Sequence, residues 1–269
     1  MRMLHGIQLV DDLESAVRAQ AHFSKFHEDQ RIFVPLTRMG ESSSLMSYDL
    51  RMQGLQVSEL GAALHSRAKS VVFFEDSLLS GKQARTIFQS WFGCPVDSPG
   101  DAVPPLTEEQ RNWLRGADLS LLFFVSRSEG EKSLNELLST LGLGRKGTDA
   151  LPVINSMGTA ACISDVLKPH EAAPLEEFLT EVGTNLLRQT KGQENPEKWT
   201  EDRISKCALG YSGARGLTIF RQNTPTSSLT PLWLGGTFRG SSWEPLFLRL
   251  DEKTIIDQRK KLVSANAKN

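Results

Sequence analysis

A chain of 269 residues is long enough for one large α/β domain, or for a core carrying a smaller cap. Its 31 Lys and Arg nearly balance 32 Asp and Glu, which excludes attraction to nucleic acid or membrane by a global field while leaving room for a local basic patch. No apolar run approaches the roughly 20 residues that span a bilayer, and Cys94, Cys162 and Cys207 lie too far apart for a disulfide framework or a metal knuckle. Met1 to Asp12 lacks the apolar core and cleavage site of a signal peptide, so a cytoplasmic location is expected.

In chain order, Val10, Leu13, Val17 and Ala21 fall three or four apart and predict a first amphipathic helix on that face. Arg31 to Leu36 reads as a short strand, running into the turn Thr37 to Ser44 that opens a second helix. A helix is expected over Leu55 to Ala68, then a buried strand at Val71 to Phe74. Ala84, Ile87, Phe88 and Trp91 line one face of the next helix. Thr107 with Gln110 forms a capping box for a helix ending near Gly116. Leu119 to Val125 is a second continuous apolar strand, followed by a helix with Leu134, Leu137, Leu138 and Leu141 on one side. Leu151 to Ile154 is a third candidate strand, and Leu175 to Leu186 a further helix. Gln189 to Lys198 reads as a polar linker, and Gly216 to Gln222 alternates like a half-exposed strand.

Continuous apolar strands alternating with helices predict an α/β fold with a mostly parallel central sheet of about five strands and helices on both faces. The chain ends supply a small capping region. The expected division is a core over 28–190, a cap from 1–27 and 191–250, and a charged tail over 251–269.

The most informative segment runs from Val71 through Glu75, Asp76, Ser77, Leu78, Leu79, Ser80, Gly81 and Lys82 to Gln83. An apolar strand, two carboxylates and a small-residue turn into a helix form the layout of a site at the carboxyl edge of a parallel sheet. A phosphate needs converging N–H donors, which the turn and the first turn of the helix supply. Carboxylates repel a phosphate but accept hydrogen bonds from sugar hydroxyls, so the acids are assigned to a ribose and Ser77, Ser80, Gly81, Lys82 and Gln83 to its phosphate. A Walker A loop fails here, because Asp76 stands where its first Gly belongs and Gln83 where its Ser or Thr belongs. Plainer readings stand beside these: acids favour any helix start, Ser42 to Ser44 would suit an ordinary N-cap, and Trp233 and Trp243, which could stack a base, are more readily core.

This segment resembles the phosphoribosyl pyrophosphate (PRPP) signature of type I phosphoribosyltransferases, with Glu75 and Asp76 as the acid pair, Ser80 for the usual Thr, and Gly81 matching. The resemblance extends over roughly residues 31–91, and over the next two βα units by architecture. It implies a phosphoribosyltransferase-like fold in which Glu75 and Asp76 are catalytic. It also implies a pyrophosphate loop at 37–44, with Arg38, Gly40, Ser42 and Ser43 as ligands and Mg²⁺ carried by the PRPP rather than by a protein cage. Two departures count against ordinary purine salvage. Gln83 replaces a hydroxyl residue, and Leu79 stands where those enzymes carry a base-handling Asp.

The carboxyl-terminal pattern of Asn223, Thr224 and Pro225, Leu232 and Trp233, then Trp243 to Phe247 is similar to a divergent bacterial group associated with anti-phage conflict. The resemblance implies a protein that binds PRPP or a nucleotide, transferring or hydrolysing at the ribose anomeric carbon, with a protein partner from a defence operon and no membrane partner. Nucleic acid stays open as an acceptor. The alternative is a non-catalytic module that senses PRPP or nucleotide and regulates its partner.

Overall fold

The computed structural model describes residues 6–24, 31–36, 42–96, 102–143, 153–221 and 224–247, the side chains of 42–45 excepted. Strand β1 (Gln8–Val10) leads into helix α1 (Asp12–Phe23). Asp11 caps the helix by accepting hydrogen bonds from the N–H groups of Leu13 at 3.0 Å and Glu14 at 3.1 Å. The bond from Glu14 is the main reason that the Asp11 carboxyl is held below its ordinary pKa.

The buried side of α1 is Ser15, Ala16, Ala19 and Phe23, whereas Leu13 and Val17 are 49% and 45% exposed. Periodicity therefore finds this helix but assigns the wrong face. The small Ala16 and Ala19 let the helix axis approach the sheet, and the larger aliphatics are left outside.

The core follows as β2 (Arg31–Pro35), α2 (Ser42–Met52), α3 (Leu60–Ser66), β3 (Ser70–Leu78), α4 (Lys82–Phe92), α5 (Glu108–Gly116), β4 (Asp118–Ser126), α6 (Ser128–Thr140) and β5 (Val153–Asn155). The expected capping box at Thr107 and Gln110 is present at the start of α5. The helix expected over Leu55 to Ala68 is shorter, because the chain before it is extended along the outer edge of β2. There Phe33 donates to the Gln56 carbonyl, and Ser58 donates back to the Phe33 carbonyl. Covering an edge strand in this way satisfies its outward backbone groups.

The central sheet has four parallel strands in the order β2-β3-β4-β5, one fewer than expected among the described residues. Helices cover both faces. On one, Val71, Phe73, Leu121 and Phe123 pack with Ile87, Phe88 and Trp91 of α4 and with Leu134 and Leu138 of α6. On the other, Val72, Phe74, Leu122 and Phe124 pack with Ala16, Ala19 and Phe23 of α1 and with Met46 and Leu50 of α2. Burial on both faces is why β3 and β4 read as unbroken apolar runs.

The remainder is α7 (Ile163–Val166), α8 (Pro169–Gln189), α9 (Lys191–Glu194), α10 (Glu201–Cys207), a single 3₁₀ turn at Tyr211–Gly213, β6 (Thr218–Phe220), α11 (Thr230–Trp233) and the hairpin β7 (Gly236–Phe238) and β8 (Ser241–Trp243). The polar stretch after α8 thus contains a short helix rather than a plain linker. Strand β6 pairs in parallel with β1 and is buried throughout, not half-exposed, because the two chain ends close on each other. Gln8 joins them further, its Oε1 accepting from the Thr218 hydroxyl at 2.8 Å and the Ala161 N–H at 3.0 Å. Trp243 packs with Phe178 and Phe238 and donates its indole N–H to the Pro231 carbonyl at 3.0 Å, which makes it core rather than a stacking platform. The Trp233 indole N–H donates to the Ser228 carbonyl at 3.2 Å. Asn223 and residues 248–269 lie outside the described residues.

The docking of α1 is testable by urea unfolding. Leu13→Gln and Val17→Gln should each stay within about 0.5 kcal/mol of wild type. Ala19→Leu should cost about 1–3 kcal/mol by overpacking the α1–sheet contact.

Candidate functional site

Strand β3 carries the candidate acids. It does not end at Phe74, as the sequence suggests, but continues through Glu75, Asp76 and Ser77 to Leu78. Its neighbour β2 does end there, with Pro35 opposite Phe74, while pairing with β4 continues from Glu75↔Phe123 to Leu78↔Ser126. The acids therefore sit at the carboxyl edge of the sheet while still held in register on one side.

Both are largely buried, Glu75 at 6% exposure and Asp76 at 9%. Glu75 Oε1 accepts from the Asp76 N–H at 3.3 Å, and Asp76 Oδ1 accepts from the Ser77 hydroxyl at 3.0 Å. Ser77 in turn lies 3.4 Å from the hydroxyl of Ser227, which arrives from 150 residues further along the chain. Ser77 thus belongs to the strand and not to the turn.

The turn itself is Leu79 to Gly81. Gly81 precedes α4 with φ of +72°, a conformation that suits glycine. The Lys82 N–H lies 3.4 Å from the Ser80 hydroxyl, and Arg85 N–H closes the first helical bond onto the Gly81 carbonyl. The N–H groups of Gln83 and Ala84 belong to the first turn, where no carbonyl lies one turn back to accept them. Lys82 is exposed and Gln83 half-buried at the same helix start.

A second loop braces this turn. Arg127 N–H donates to the Leu78 carbonyl at 2.8 Å, and a Cβ at Gly130 would stand only 2.3 Å from the Leu79 carbonyl oxygen. A Cβ at Gly81 would likewise meet the Gly130 carbonyl at 2.8 Å. The start of α6 therefore lies backbone against backbone on the turn, and Arg85 Nη1 donates to the Ser133 carbonyl at 2.6 Å to lock α4 to α6. Leu79 points away from the edge, 7% exposed, toward Gly216.

The neighbouring strand ends are polar too. Ser126 at the end of β4 donates to Glu131 Oε1, and Asn155 at the end of β5 donates to the Ser126 hydroxyl at 2.8 Å. Arg127 bonds Asp165 Oδ2 at 2.6 Å and the Ala160 carbonyl at 3.2 Å. Beside it, burial pushes the Cys162 thiol up to about 11, against the opposing charge of Arg127.

Of the residues anticipated from sequence, Glu75, Asp76, Ser77, Ser80, Gly81, Lys82 and Gln83 form one continuous strand end, turn and helix start. Arg38 and Gly40 lie outside the described residues, while Ser42 and Ser43 are the first two residues of α2. Gly130 and Ser227 went unanticipated. A glycine inside the first turn of a helix, as in Ser128-Glu129-Gly130-Glu131, is a local hint of close backbone approach. Nothing local marks Ser227.

A parallel sheet covered on both faces, with an acid pair and a glycine turn at its carboxyl edge, defines a phosphoribosyltransferase-like protein. The PRTase-CE family model matches residues 7–249, and the chain belongs to that phosphoribosyltransferase-like family. No curated protein and no solved structure matches it. Among the described residues no helix is long and apolar enough to cross a membrane.

Two outcomes follow from this geometry. Gly130→Ala should cost about 1–3 kcal/mol in urea unfolding, with faster amide exchange at Arg127, because the added methyl displaces the Leu78–Leu79 carbonyls. A folded-state thiol pKa near 11, above the ordinary 9.0, means the unfolded chain loses the Cys162 proton first. Stability should therefore fall as pH rises from about 9 to 11, and Cys162→Ala should flatten that alkaline slope in pH-dependent unfolding.

Proposed function

We propose that the chain binds PRPP or a related ribose-phosphate nucleotide at the carboxyl edge of β3 and acts on its anomeric carbon by transfer or hydrolysis. The observation that carries this reading is the buried Glu75–Asp76 pair followed by a left-handed Gly81 and the first turn of α4. Glu75 and Asp76 hold the ribose hydroxyls, and their negative charge favours the oxocarbenium-like charge that develops as the bond to the anomeric carbon breaks. Ser80, Gly81, Lys82 and Gln83 hold the 5′-phosphate, with the N–H groups of the helix start as donors. Arg38, Gly40, Ser42 and Ser43 hold the departing pyrophosphate, a role supported by the placement of Ser42 and Ser43 at the first turn of α2 just after β2.

Mg²⁺ would arrive with the PRPP, held by its diphosphate oxygens rather than by a protein cage, and would supply charge neutralisation of the pyrophosphate. The similarity of the Asn223 to Phe247 sequence pattern to conflict-associated proteins supports a setting in bacterial anti-phage defence with a protein partner.

Leu79 favours a second reading. A leucine packed into the core has no proton to exchange with a nucleobase, which supports a module that senses PRPP or nucleotide and regulates a partner without turnover.

Calorimetry with PRPP and Mg²⁺ tests the shared part. Wild type should give saturable heat, and Asp76→Asn should bind at least about tenfold more weakly, since it loses a charge-assisted hydrogen bond to a sugar hydroxyl. No heat at millimolar ligand would overturn both readings. Pyrophosphate or free base appearing during incubation with bases, nucleosides or water as acceptors identifies an enzyme, and binding without either product identifies a sensor.

A further inference from the structure

We propose that Ser227 is a positioning residue for Asp76, acting through Ser77 and so tying the acidic site to the carboxyl-terminal segment; this rests on the assignment of Asp76 as a ligand-binding acid. A serine hydroxyl carries one proton and can accept two. Ser77 directs its proton to Asp76 Oδ1 at 3.0 Å, so in the 3.4 Å contact with Ser227 it can only accept. The direction of the chain follows: Ser227 O–H to Ser77 Oγ, and Ser77 O–H to Asp76. Hydrogen bonds aligned in this way polarise one another, and the middle hydroxyl loses its freedom to turn away from the carboxylate.

The backbone around Ser227 is held from two directions. Its carbonyl accepts the Gly216 N–H at 3.1 Å, and Leu229 N–H donates back to the Gly216 carbonyl at 2.9 Å. A Cβ at residue 216 would come within 2.7 Å of the Ser227 carbonyl oxygen and 2.8 Å of Leu79 Cδ2, so this approach needs a residue without one. Tyr211 N–H donates to the Thr226 carbonyl at 2.6 Å. The loop that makes these contacts holds Ser212 at φ +56° and Arg215 at φ +54°, left-handed conformations that cost non-glycine residues energy and persist where surroundings over-determine them. Arg215 is held in turn by Glu176 at 3.0 Å. The segment thus delivers the Ser227 side chain to one place beside Ser77, and both serines are only half-buried.

The consequence is reciprocal coupling. Whatever seats a ligand on Asp76 also seats the 225–229 segment, and the reverse holds by linkage. Calorimetry with PRPP and Mg²⁺ on Ser77→Ala, Ser227→Ala, Ser227→Thr and the double alanine variant reads the binding side. Ser227→Ala should weaken binding about three- to tenfold, the effect of one modest hydrogen bond. Ser227→Thr, which keeps the hydroxyl, should stay within about twofold of wild type, and the double variant should bind no more weakly than Ser77→Ala alone. Additive losses in the double variant, or a threonine variant as weak as the alanine one, overturn the assignment.

Amide exchange on the ligand-free protein separates this from the ribose-phosphate reading. Asp76→Asn should speed exchange at Gly216 and Leu229 about threefold or more in the wild-type background and leave it unchanged when Ser227 is already alanine. If PRPP gives no heat while that coupling persists, the positioning role stands and the ribose-phosphate reading falls. If exchange at both amides ignores Asp76→Asn, the positioning role falls whatever PRPP does.

Discussion

The contact on which the site depends is backbone against backbone, between the turn after β3 and the first turn of α6. Gly130 sits where a Cβ would stand 2.3 Å from the Leu79 carbonyl oxygen, and Gly81 faces the Gly130 carbonyl in return. Two glycines therefore let two loops share a space that side chains would have filled. The contact fixes the direction in which β3 leaves the sheet and the height at which α4 begins. It also turns Leu79 inward, toward Gly216. Hydrogen bonds from Arg127 to Leu78 and from Arg85 to Ser133 hold the same arrangement from either side.

The sheet order gives this contact more weight. In an open α/β sheet a ligand crevice commonly forms where the strand order reverses. The described sheet runs β2-β3-β4-β5 without reversal, so strand order alone opens no crevice here. Strand β1 pairs with β6, and the segment that follows β6 brings Ser227 to Ser77. The carboxyl-terminal third thereby touches the strand that carries the candidate acids.

The legible part of the site was the part written in consecutive residues. An apolar run, two acids, a glycine and a helix-forming stretch could be read as strand, site and turn because each has a local physical signature. The apolar run ends at Phe74 but the strand at Leu78, four residues on, because strand length depends on how far β4 continues alongside. The face of α1 was misjudged for a related reason. Leu13 and Val17 make as good a helical stripe as Ala16 and Ala19, and the distance to the sheet selects the smaller pair. Trp243 has no local feature that tells core from ligand platform; its place beside Phe178 and Phe238 decides it.

By itself the sequence determined the α/β class and the order of strand, acid pair and glycine turn from Val71 to Gln83, because alternation, capping and turn chemistry act over a few neighbouring residues. Only the tertiary structure decided which glycines touch, where β3 ends, that Leu79 is core, and that Ser227 reaches Ser77. Those are contacts between segments up to 150 residues apart, and they exist only once the sheet has set the distance between its two layers.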